Sequence, residues 1–117
     1  MIDRIGILEK YIEEGDTSNK MYNTRMMKAH YHLAKHYIRE ADAPMTGEHF
    51  RQCGDFYKKI FLPGIMNYLT EMATGVPGEE YSEPHTKGFH LRWYNKYEAL
   101  RKRIERKSRG AKKSQTN

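Results

Sequence analysis

Residues 19–41 read NKMYNTRMMKAHYHLAKHYIREA, and their spacing decides the fold. Tyr22, Met26, His30, Leu33, Ala34, Tyr37, Ile38 and Ala41 fall on one broad face at 100° per residue, which predicts an amphipathic helix. Asp42-Ala43-Pro44 is expected to stop it and Thr46 to cap a following helix. That helix carries its own apolar face of Phe50, Cys53, Gly54, Tyr57, Ile60 and Phe61. Two such helices joined by a few residues fold back on each other as an antiparallel hairpin.

Further helices flank the hairpin. Ile5, Leu8 and Ile12 recur at spacings of three and four ahead of Gly15, predicting a short helix over 2–14. Leu62-Pro63-Gly64 is read as a second break, with Pro63 starting a short helix of Ile65, Met66, Leu69, Met72 and Ala73. Residues 75–88 hold three glycines, two prolines and three glutamates and are expected to form a long loop, mobile or packed by Tyr81. Phe89, Trp93, Tyr97, Leu100 and Ile104 mark a last helix with one apolar seam, leaving Tyr94 as the exposed aromatic. The expected fold class is therefore all-α, a small bundle of four to five helices built on a central antiparallel hairpin. It ends in a basic helix and a flexible tail. A chain of 117 residues, 38% apolar, has material for one modest core, expected as a single domain over 1–108 with a basic disordered tail over 109–117.

Charge is sharply localised. Residues 87–117 hold eleven Lys or Arg against Glu98 and Glu105, about +9, whereas residues 1–86 sum to about −3. A cationic run of this density concentrates polyanions and gains free energy from released counterions, so nucleic acid is the first candidate partner and an anionic membrane surface the second. On the hairpin's first helix Arg25, Lys28, His32, Lys35, His36 and Arg39 occupy the arc opposite the apolar face, and no acid interrupts them. A solvated face is the plain alternative. The expected contact set for phosphates is Arg25, Lys28, Lys35 and Arg39, with Arg101, Lys102, Arg103, Arg106, Lys107, Lys112 and Lys113 as a second arm. Bases at a helix C-terminus also suit its dipole, so part of that arm's charge needs no ligand.

Leu33-Ala34-x2-Tyr37-x8-Thr46-x3-Phe50-x2-Cys53 resembles the tetratricopeptide pattern, in which large and small residues interlock between two antiparallel helices. The resemblance covers residues 30–58, with His30 standing where the pattern has tryptophan. It implies a protein-interaction role. The run from Glu48 to Tyr57 is similar to the Glu-Asn-Tyr-x-Gln-His-Ala-Glu-His-Tyr segment of an alphaproteobacterial family of basic, uncharacterised proteins, which implies no activity.

Chemistry-bearing constellations are sparse. His32 with His36 and His49 with Cys53 have the i, i+4 spacing of zinc ligands. Their faces disagree, however: Cys53 belongs to the hairpin seam and the two histidines point away from it, so no metal and no cofactor are expected. His30 is read as a hydrogen-bonded core histidine. A Cys53–His49 nucleophile has no orienting carboxylate, and Glu79, Glu80 and Glu83 with His85 read as a solvated acidic loop rather than a divalent-cation site. Phosphate-loop, dinucleotide and zinc-protease motifs do not occur, and no enzyme is expected. One cysteine allows no intrachain disulfide, and no stretch reads as a signal peptide or membrane span, so the cytoplasm is expected. These readings converge on a non-catalytic nucleic-acid-binding protein, RNA or nonspecific duplex in preference to sequence-specific DNA, since no helix offers a base-reading set of Asn, Gln and Arg. The rival is a small adaptor or inhibitor, for example of viral or mobile-element origin, that binds an acidic protein surface.

Overall fold

The computed structural model describes residues 3–76 and 87–115, with the backbone alone described at 63–68, 87 and 109–115. The described residues form four helices and no strand: α1 (Arg4–Glu14), α2 (Tyr22–Arg39), α3 (Ala43–Thr74) and α4 (Lys87–Gln115). The protein is all-α. Its contacts divide it into two units, Met1–Pro84 and His85–Asn117.

In the first unit, α2 is the middle helix, with α1 and α3 both packed on it. Asp3 starts α1 by accepting from the Gly6 N–H at 3.0 Å. Gly15 ends it at φ 58°, donating to the Tyr11 carbonyl, a left-handed conformation that costs glycine nothing. Asp16 and Asn19 then turn the chain by accepting from the Ser18 and Met21 N–H groups.

The α2–α3 connection is tighter than expected. Asp42 N–H donates to the Tyr37 carbonyl at 3.0 Å and Ala41 N–H to the Ile38 carbonyl at 3.3 Å, the paired closure of a Schellman turn. Asp42 is also the cap of α3, its carboxylate accepting from the Met45 N–H at 3.1 Å. Pro44 therefore opens α3 instead of closing α2, because a proline in the first turn lacks only an N–H that would have no helical partner. Thr46 is already inside the helix, donating its hydroxyl to the Asp42 carbonyl. Ala41, expected in the apolar face, is exposed and left-handed at φ 58°, where its Cβ is strained. Replacing Ala41 with Gly is expected to stabilise the protein by about 1 kcal/mol, seen as a rise of a few degrees in melting temperature. An unchanged or lower melting temperature would show that the turn carries no such strain.

The predicted break at Pro63 does not occur. The α3 backbone runs unbroken from Ala43 to Thr74 and stops only at Gly75, φ 72°. A proline removes one helical hydrogen bond and crowds one carbonyl, a cost the helix bears here together with that of Gly64, and better helix formers further on, Met66, Leu69, Glu71, Met72 and Ala73, precede the glycine that takes the left-handed stop. Beyond Pro63, Leu69, Met72 and Val76 are exposed.

The core lies along the hairpin seam. From α2 it takes Met26, Met27, Ala29, His30, Tyr31, Leu33, Ala34 and Ile38, and from α3 Thr46, His49, Cys53, Gly54, Tyr57 and Ile60, spaced by threes and fours. Met27, Ala29 and Tyr31 were not expected there. A helix with neighbours on two flanks buries more than one face.

The second unit is α4. Trp93 and Leu100 are its least exposed side chains, on the expected seam, and Phe89 meets Trp93 at 6.3 Å between ring centroids. In place of the polar tail expected from residue 109, its backbone stays helical to Gln115. The loop expected over 75–88 lies, from residue 77 to 86, outside the described residues, and so do the acids assigned to it. Among the described residues no helix is long and apolar enough to cross a membrane.

Candidate nucleic-acid interface

No acidic residue occurs anywhere in α2, so its outward arc is basic from end to end. Arg25, Lys28 and Arg39 are exposed, and Lys35 is half-buried with its ammonium 5.4 Å from the centre of the Tyr31 ring. The rise of an α-helix puts Arg25 and Arg39 about 21 Å apart along the axis. His32, exposed, and His36, half-buried, share the arc as expected.

What the sequence did not show is that α1 completes this surface. Arg4, Ile5, Ile7 and Leu8 face His32, Lys35, His36 and Arg39 across an open groove of ≈ 470 Å³. Its lining combines the cations Arg4, Lys35 and Arg39 with aliphatic side chains and two histidines, and holds no carboxylate. Ile7 is 57% exposed, and Ile5 and Leu8, read as the buried face of α1, are only half-buried. The Tyr37 hydroxyl donates to Glu9 at 3.1 Å, tying α1 to α2. Burial and that carboxylate raise the Tyr37 phenol above its ordinary pKa.

On α4 the arm is uneven. Arg101 is held between Glu98 at 2.7 Å and Glu105 at 2.6 Å, and these acids raise its pKa and occupy its donors. It is the arm residue least able to reach a phosphate. Lys102, Arg106 and Lys107 are exposed and Arg103 half-buried, whereas the Lys112 and Lys113 side chains lie outside the described residues. Tyr94, 47% exposed, borders a shallow surface with Asn95, Glu98, Lys102, Glu105 and Arg106. Lys96 lies 4.8 Å from the centre of the Trp93 ring.

His30, read as a core histidine, is fully buried, and its hydrogen-bond partner is another histidine. Nδ1 of His30 meets Nδ1 of His49 at 2.9 Å across the α2–α3 seam, so one ring donates and the other accepts. Each ring is stacked, His30 on Phe56 and His49 on Tyr37. Both Nε2 atoms are buried with no hydrogen-bond partner among the described residues. Burial first, and then the neighbouring His49, lowers the His30 pKa to about 4, and burial lowers that of His49 as well. Cys53 is buried one turn beyond His49, where burial pushes its thiol up to about 12, away from nucleophilic chemistry at neutral pH. Among the described residues no three His, Cys, Asp or Glu side chains converge as metal ligands.

No protein-family model, curated protein or solved structure matches the chain.

Proposed function

We propose that the protein binds nucleic acid through its phosphates, without catalysis. The observation that carries this reading is the basic face of α2, on which Arg25, Lys28, Lys35 and Arg39 stand along four turns with no acid among them. A solvated helix face ordinarily mixes both signs, because opposite charges at i and i+4 stabilise an isolated helix. Arg51 on α3 does this, pairing with Glu48 and Asp55. No acid stands on α2 beside its bases. Arg4 adds a further cation from α1, and the exposed bases of α4 supply a second contact arm. RNA or nonspecific duplex is preferred over sequence-specific DNA on the sequence argument. The single, buried Cys53 suits a reducing compartment such as the cytoplasm.

The test is the variant with Arg25, Lys28, Lys35 and Arg39 all changed to Gln. Glutamine is close to Lys and Arg in helix propensity, so the melting temperature should hold while affinity for nucleic acid at low salt falls at least tenfold. Affinity that survives the four changes removes α2 from the interface. The second reading, an adaptor for an acidic protein surface, is favoured by one observation, the aliphatic Ile5, Ile7 and Leu8 in the lining of the cationic α1–α2 groove. Loss of a captured acidic protein, with nucleic-acid affinity intact, selects it.

A further inference from the structure

We propose that the α1–α2 groove is a site for an unpaired nucleic-acid strand, with phosphates on Arg4, Lys35 and Arg39 and the face of a base on Ile7. The proposal rests on the nucleic-acid reading and narrows it to one class of ligand. A duplex presents phosphates outward and keeps its base faces stacked inside, so it has nothing apolar to set against aliphatic side chains. An unpaired strand carries both kinds of surface on each nucleotide, and a base outside the stack gains by covering apolar surface. The groove lining offers both. Arg4 and Lys35 come from different helices, Ile7 is exposed in the same lining, and carboxylates that would repel phosphate are missing from it. The volume of ≈ 470 Å³ lies in the range of small-ligand sites, room for one base and the phosphates beside it. Along α2 the cations recur at every turn or two, with Lys35 and Arg39 about 6 Å apart along the axis, so a strand leaving the groove continues along Lys28 and Arg25.

Fluorescence anisotropy of the full-length protein with a labelled 12-mer of thymidine, a 12-mer of uridine and a 12-base-pair duplex tests the assignment. The expected result is single-strand affinity about tenfold above that for the duplex at equal salt. Ile7→Gln, at an exposed position, should weaken single-strand binding about fivefold, leave duplex binding unchanged and leave the salt dependence untouched, because no charge is removed. Arg4→Gln should lower the slope of log affinity against log salt by roughly 0.7 for the single strands. Equal affinity for duplex and single strand, or no effect of Ile7→Gln, overturns the groove assignment while leaving phosphate binding in place. Failure to bind any of the three oligonucleotides overturns both readings, and binding of an alternating Glu-Leu peptide in their stead would give the groove to an acidic protein partner.

Discussion

Between pH 7 and pH 4.5 the protein is expected to lose about 2 kcal/mol of folding stability to the titration of His30 alone. Burial holds that imidazole neutral in the folded state, with its pKa lowered to about 4, while in the unfolded chain it titrates at 6.5. The unfolded state therefore takes up the proton first as pH falls. The stability is fully present above pH 6.5, is lost progressively below it, and stops changing on this account once pH passes about 4. His49, lowered in the same direction, adds to the loss. A first proton can be held without breaking the Nδ1–Nδ1 bond, but a second would set two N–H groups and two charges face to face. Glu48 and Glu9 favour the charged rings and Arg51 opposes charge on His30, yet burial outweighs them. For a chain of this size the loss lowers the melting temperature by about 10 °C. His30→Leu should flatten most of this dependence, whatever it costs at pH 7, where it leaves the His49 Nδ1 unpaired. The quantity to compare is the slope of melting temperature against pH; a variant with the wild-type slope would show that the buried pair does not set acid stability.

The hairpin was legible because its signals are local. Leu33, Ala34, Cys53, Tyr57 and Ile60 lie where helical periodicity places them, and the inward His30 and outward His32 and His36 follow from the same phase. The errors came where one residue type has two uses. Proline can end a helix or begin one, and at Pro44 the deciding fact is the Asp42 cap three residues ahead of the N–H it binds. At Pro63 a lost hydrogen bond and the neighbouring Gly64 compete with helix formers further on such as Met66, Leu69 and Glu71, a balance of energies that punctuation alone does not reveal. The partner of His30 was hidden for a different reason: His49 lies 19 residues away, and only the register between α2 and α3 brings the two Nδ1 atoms together. Arg4 was missed likewise. Nothing in the short α1 sequence states which flank of α2 it covers, and so a cation to which the sequence assigns no role joins the lining of the groove.

Ending the chain after Arg101 is expected to lower the salt slope of nucleic-acid binding by about 3, if four of the seven bases removed each neutralise a phosphate at roughly 0.7–0.9 per contact. The seven are Lys102, Arg103, Arg106, Lys107, Arg109, Lys112 and Lys113. The plain alternative is that these bases only balance the helix dipole. That effect falls off within the last turn, and α4 runs to Gln115, so it reaches Lys112 and Lys113 but not Lys102, Arg103, Arg106 or Lys107. The four inner bases are thus the ones whose charge the helix itself does not explain. Arg101 is left in place because Glu98 still pairs with it, and its removal would free a carboxylate on the same face. The dipole reading predicts a small loss of helix stability and an unchanged salt slope; the contact reading predicts the reverse, with the thermal transition of the α2–α3 core preserved. Titrations at 50, 100 and 200 mM salt on both chain lengths separate the two, and a slope that does not move takes the arm of α4 out of the interface and leaves α2 and Arg4 to carry it alone.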